Sequence, residues 1–152
     1  MGTSRKNILF LCSWFPNRKK ALEGNFILKH AQCLQEIANV YVLFAKASEQ
    51  NNKKFEIEKS TDEGVSITKV YFRKSKLPVF ASLINLLRYI KALKVGYTHI
   101  PQIIDKVNVN VAFPAGLYAL FLRRKGIFFK INRFMIFLEN VNSYKKYSHK
   151  FK

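Results

Sequence analysis

A chain of 152 residues can enclose one hydrophobic core and is too short for two full domains. Hydrophobic residues make up 49% of it, which excludes a disordered polyelectrolyte even though 27 Lys+Arg stand against 9 Asp+Glu, a formal charge of +18. A field of that sign selects anionic partners (nucleic acid, phospholipid headgroups, a phosphate-bearing substrate), and the same lysines also solvate an otherwise apolar surface.

In chain order, Asn7–Ser13 is a short apolar run that reads as a buried strand, the first of a parallel sheet. Trp14–Gly24, with Pro16, Asn17 and Gly24, reads as a loop. Asn25 is the expected N-cap of a helix Phe26–Ala38, whose Phe26, Ile27, Ala31, Leu34, Ile37 and Ala38 form one apolar stripe. Val40–Ala45 is a second buried strand, so the opening is a βαβ unit. Lys46–Gly64 is polar and charged and reads as an exposed excursion, and Val65–Arg73 alternates as a strand with one wet face.

Val79–Val95 has the strongest amphipathic pattern. Phe80, Leu83, Ile84, Leu87, Ile90 and Leu93 keep helical spacing, with Arg88, Lys91 and Lys94 adding positive charge. A short helix Pro101–Asp105, a strand Val107–Val111, a turn through Pro114, a helix Gly116–Arg124 and a strand near Ile127–Ile131 follow. The alternation predicts an α/β fold, a Rossmann-like parallel sheet flanked by helices over residues 1–127, with a divergent basic and aromatic tail over 128–152. Neither internal repeats nor low-complexity tracts interrupt it.

Cys12, in an apolar run, and Cys33, on the expected inner face of a helix, are too few for a disulfide framework and read as reduced core residues. The start lacks the hydroxyl residue of a myristoylation signal, and Ile8–Cys12 is too short for a secretory apolar region, so the cytoplasm is the expected compartment. His30 and Cys33 stand three apart on one helix without a matching downstream pair, which leaves no metal site. No phosphate-binding glycine loop, nucleophile elbow or dinucleotide fingerprint is present. The basic, aromatic stretch Phe128–Lys152 would suit nucleic acid, but without a recognised motif no specific nucleic-acid partner is expected. Val79–Val95 also has the pattern of a helix lying on an anionic membrane surface, an alternative to a helix packed on the sheet. A small nucleic-acid-binding or membrane-surface protein is therefore the rival functional class.

Two stretches carry a resemblance. Ser13-Trp14-Phe15-Pro16-Asn17, followed by Gly24-Asn25-Phe26 and His30-Ala31, resembles the opening of bacterial family 4 glycosyltransferases of the GT-B fold. Asn108 to Ala119 (NVNVAFPAGLYA) is similar to that family's strand-to-helix turn beneath the cleft. The resemblance covers roughly residues 7–127 and implies the N-terminal, acceptor-side domain of a GT-B enzyme, incomplete at its C-terminal edge. It implies an acceptor loop through Trp14, Pro16, Gly24 and Asn25, and a cleft turn through Asn110, Pro114 and Gly116. The implied acceptor is a glycan or a lipid-linked glycan of the cell envelope, and the complete family enzyme uses a nucleotide-sugar donor and no resident cofactor.

Physically, Gly24 would let backbone approach a ligand, the opening amides of the next helix would attract an anion, and Trp14 would floor an acceptor. The same residues have a purely structural reading: Trp14 and Phe26 as core aromatics, Pro114 and Gly116 as turn formers, Asn110 as a helix cap. The chain departs from the family at Asn108, where relatives carry a His near this turn. It departs again at Phe128–Phe137, where relatives have a Thr-Glu-His-Trp-like stretch and this chain has no His. Glu139-Asn140 and Asn142–Ser148 resemble the family again, a pattern expected from compensating frameshifts or local degeneration between about Ile127 and Leu138. The donor-binding domain would have to come from elsewhere, a missing C-terminal domain or a partner chain, so no catalytic residue is assigned and the chain is expected to be inactive alone, at work in the cytoplasm or at the inner face of the membrane.

Overall fold

Among the described residues nine elements follow one another: β1 (Asn7–Cys12), α1 (Asn25–Gln35), β2 (Asn39–Ser48), β3 (Phe55–Asp62), β4 (Val65–Arg73), α2 (Ala81–Tyr97), β5 (Lys106–Asn110), α3 (Ala115–Arg123) and β6 (Phe129–Asn132). The computed structural model describes residues 5–49, 53–75, 80–101, 103–110, 113–124, 127 and 129–132. The apolar runs become central strands because only a strand buried on both faces tolerates unbroken hydrophobicity. Leu9 and Leu11 point to one side of the sheet and Phe10 and Cys12 to the other, all fully buried.

The six strands lie in the order β3-β4-β2-β1-β5-β6, parallel throughout except for β3, which runs antiparallel to β4 at the edge. From β1 the chain builds outward through β2 and β4, then crosses over to add β5 and β6 on the other side. That reversal is the switch point of a Rossmann-like sheet, and it falls between β1 and β5. α1 covers one face through Ile27 and Ala31 against Phe10, Val42, Phe44 and Ile67. α2 and α3 cover the other through Tyr89, Leu93, Tyr118 and Leu122 against Leu9, Leu11, Leu43 and Val109. The chain is thus an α/β, Rossmann-like layer structure.

Several expectations are corrected. The excursion Lys46–Gly64 contains most of a hairpin: β2 runs on to Ser48, and β3 pairs along the whole of β4. β3 has only Phe55 and Ile57 to turn inward, and its charges belong to an edge strand, where they discourage further pairing. Its turn uses Glu63 at φ 44° and Gly64 at φ 79°, the paired positive φ of a tight hairpin. The described residues between 101 and 105 are not helical; Asp105 instead accepts the Asn7 amide at 2.7 Å, tying this connection to β1. Cys33 is exposed, because α1 ends at Gln35 and buries a narrow stripe, which also leaves Ile37 74% exposed. β6, close to the strand expected near Ile127–Ile131, pairs in parallel with β5. Residues 133–152, the bulk of the expected tail, lie outside the described residues.

α2 buries only the Ile90 and Leu93 edge of the stripe its pattern suggested. Tyr89, Ala92, Leu93, Gly96 and Tyr97 meet the sheet, while Phe80, Leu83 and Leu87 face solvent. Both faces of this helix are apolar, so spacing alone cannot choose between them. The sheet side is selected by small residues: a Cβ on Gly96 would stand 2.5 Å from Leu43 Cδ1 and 2.8 Å from Val70 Cγ2. For Gly96→Ala, overpacking of about 1–3 kcal/mol outweighs a helix-propensity gain of about 1 kcal/mol. The variant is expected to be less stable by about 1 kcal/mol, read as a lower urea midpoint at unchanged slope.

Candidate functional site at the carboxyl ends of the strands

The loop leaving β1 crosses the carboxyl ends of β2 and β4, where open α/β sheets place ligands. Two polar clusters hold it there. Asn17 is buried, and its Nδ2 donates to the Phe15 carbonyl at 2.9 Å and to Glu23 Oε2 at 2.7 Å, while its Oδ1 accepts from the Lys19 amide at 3.2 Å. Lys46, from β2, closes on the same Glu23 oxygen. Further out, Arg18 lies 4.6 Å above the Tyr71 ring and reaches Glu56 at 2.7 Å and Glu58 at 2.9 Å on β3. The edge strand is therefore part of the loop's anchorage.

These anchors titrate. Burial works against the charge of Glu23, yet the hydrogen bonds from Lys46 and Asn17 hold its carboxyl below the usual carboxylate range. A depressed carboxylate contributes stability above its ordinary value, 4.5 here, and loses it as pH falls through the lower folded value. Trp14 is the only tryptophan and is 44% exposed at the start of the loop. Acidification below pH 4.5 is therefore expected to shift Trp14 emission before global unfolding, with the loss of about 1–2 kcal/mol of anchoring. The Glu56 carboxyl is likewise held below the usual carboxylate range, first by its Arg18 hydrogen bond. Glu23→Gln should flatten the Glu23 part of the transition and leave the Glu56 part, which separates the two by fluorescence.

Gly24 begins α1. It takes φ +69° as the N-cap residue, with no side-chain cap, so Asn25 is the first helical residue, exposed, and not the cap expected from the sequence. Asparagine caps from an extended backbone, whereas the chain here must turn sharply under Trp14 and Phe15, which only glycine does readily. The space a Cβ would fill at Gly24 is occupied by the loop's own backbone, with Trp14 C at 2.9 Å and Phe15 N at 3.0 Å. Pro16 is half-buried within this loop.

The second stretch meets the first at the switch point. The Ser13 amide donates to the Asn110 carbonyl at 3.2 Å, and Ser13 Oγ accepts from the Ala115 amide at 3.1 Å across 102 residues of sequence. Ser13 thus caps α3 from across the sheet, a service its formal N-cap, Pro114 after a cis peptide, cannot provide. Asn110 closes β5 beside Cys12 and is 6% exposed. Its Nδ2 lies near the Cys12 sulfur, a poor acceptor, and makes no hydrogen bond of proper geometry. From the other face, the Tyr89 hydroxyl comes near Ser13 and likewise completes no hydrogen bond. Burial pushes both the Cys12 thiol and the Tyr89 phenol up, so each is neutral at physiological pH.

Two orphaned polar groups therefore flank the end of β1, where buried polar groups are normally satisfied. Beside them, Gly116 in the first turn of α3 is buried, yet no atom of the described residues lies within 4 Å of where a Cβ would stand. The positive end of α3 adds a field at this point that favours an anionic or hydroxyl-bearing group.

Of the residues singled out by sequence, Asn110, Pro114 and Gly116 line this point, reached from β1 through Ser13. Trp14, Pro16, Gly24 and Asn25 belong to the adjoining loop. Tyr89 and Cys12 were not among them; the signal available for Tyr89 was a polar tip in the middle of an apolar helix. His30 packs edge-on against Phe10 at 5.6 Å, and among the described residues no group of His, Cys, Asp and Glu could hold a metal. No protein-family model, no curated protein and no solved structure matches the chain.

Proposed function

We propose that this chain is the acceptor-side, Rossmann-like half of a GT-B glycosyltransferase, and that it binds the polar end of a glycan or lipid-linked acceptor at the switch point between β1 and β5. The observation that carries the reading is the meeting of the two family-like stretches there, Ser13 with Asn110 and Ala115, next to buried donors that lack partners. The Asn110 amide and the Tyr89 hydroxyl would hold the acceptor's oxygens, and the loop through Trp14 would wall one side. Binding and orientation are what this half contributes to sugar transfer. Stabilising the departing nucleoside diphosphate needs groups converging from an opposite domain or a partner chain, so transfer by this chain alone is not expected. Such an enzyme works in the cytoplasm, where nucleotide sugars are made, at the inner face of the membrane.

Titration followed by amide NMR tests the reading. Short oligosaccharides or a polyprenyl-phosphate-linked sugar should move the Ser13, Gly24 and Ala115 resonances, and free nucleotide sugars should not do so at comparable concentration. Absence of any response at these amides across the panel, or a response only to single-stranded nucleic acid, would reject it.

A further inference from the structure

α2 and α3 lie on the same face of the sheet, and their outer sides are unusually apolar. Phe80 is 63% exposed, Leu83 56% and Leu87 52% on α2, with Leu117 39%, Leu120 49% and Phe121 42% on α3. At 3.6 residues per turn, Phe80, Leu83 and Leu87 fall on the side of α2 turned away from the residues that meet the sheet. Soluble proteins seldom display so many large apolar side chains on neighbouring helices without a partner.

The charge on this face is equally one-sided. Between Lys74 and Arg124 the sequence contains a single acidic residue, Asp105, which lies on neither helix and is bonded to the Asn7 amide. Lys91, Lys94, Arg123 and Arg124 are exposed, and no described ion pair involves them. The described carboxylates Glu23, Glu49, Glu56 and Glu58 are instead engaged by Arg18, Lys46, Lys69 and Lys74. Among the described residues, positive charge on α2 and α3 is thus left without a carboxylate counter-charge, on the same helices that expose leucine and phenylalanine.

We infer that the outer face of α2 and α3 is a docking surface for an anionic lipid leaflet. Leucine and phenylalanine side chains enter the boundary between headgroups and acyl chains, and the lysines and arginines reach lipid phosphates. A second copy of the chain fits less well, because an isologous contact would press this acid-free basic face against itself. Nucleic acid would use the cations and leave the leucines without a role. Among the described residues no helix is long and apolar enough to cross a membrane. The inference rests on surface chemistry alone and stands apart from the proposal of sugar transfer.

Vesicle co-sedimentation tests it, with phosphatidylcholine alone against phosphatidylcholine mixed with phosphatidylglycerol. The full chain should pellet with the mixed vesicles and much less with the neutral ones, and added salt should weaken the association. Leu83→Ser with Leu87→Ser should weaken binding roughly tenfold, since each half-exposed leucine has only part of its transfer free energy left to gain. Lys91→Gln with Lys94→Gln should weaken it by a similar order, roughly tenfold or more. All four positions face solvent at least in part, so thermal unfolding should show both variants folded. Equal binding to neutral and anionic vesicles, unchanged binding by the leucine variant, or loss of an oligomer in place of loss of vesicle binding would each overturn the inference.

Discussion

Gly24→Ala is expected to be the most damaging single-methyl change in the chain, lowering stability by about 3 kcal/mol. Two independent costs combine. An alanine held at φ +69° carries about 1–2 kcal/mol of left-handed strain. Its Cβ would also stand 2.9 Å from the Trp14 carbonyl carbon and 3.0 Å from both the Trp14 oxygen and the Phe15 nitrogen. These are backbone atoms of a loop already tied down by Asn17 and Glu23, so they cannot swing aside as a side chain can. Relief requires moving the loop, which would shift Trp14 emission as well as the urea midpoint. Gly116→Ala is the control at the other wall of the site. No atom of the described residues lies within 4 Å of its Cβ position, so alanine there should be neutral or stabilising by about 0.5–1 kcal/mol through helix propensity. A loss of ligand response without loss of stability in that variant would mark the open space as occupied by ligand.

The contrast between these glycines shows what a sequence can and cannot disclose. The strands β1, β2, β4 and β5 were legible because continuous or alternating apolar runs have few other homes, and the helices because their spacing is periodic. β3 was not, since an edge strand needs only Phe55 and Ile57 on its inner side and carries glutamate and lysine elsewhere. Helical spacing located α2 within two residues of its ends but not its orientation, because leucines recur on the outer side while tyrosine, alanine and glycine make the closer contact with the sheet. Gly24-Asn25 announced a helix start, but which residue is the cap depends on the approach of Trp14 and Phe15 from above, a three-dimensional fact. For the site, the two family-like stretches were visible as strings, and Asn110 stood out at the end of a strand. That Tyr89 comes to the same point from a helix, and that neither group finds a partner, follows only from the packing of α2 over the end of β1.

Asn110→Val combined with Tyr89→Phe should therefore make the protein more stable while abolishing the response to acceptor proposed above. Each wild-type group is 6% exposed and leaves a polar atom without a hydrogen bond, a situation that costs about 1–3 kcal/mol per group. Valine suits a buried central strand, and phenylalanine keeps the edge-on ring contact with Phe72 at 6.3 Å. The pair is expected to gain about 2–3 kcal/mol, or roughly 5–10 °C in Tm for a chain of this size. Proteins that retain such costs do so where binding needs them, and their removal trades function for stability. The Ser13, Gly24 and Ala115 resonances should then stop moving with acceptor, although Ser13 still caps α3. A double variant less stable than the parent would mean that these two groups are satisfied in solution, and the site would lose the unpartnered donors on which the binding argument depends. Stabilisation with an undiminished acceptor response would leave the fold account standing and move the binding surface away from the switch point.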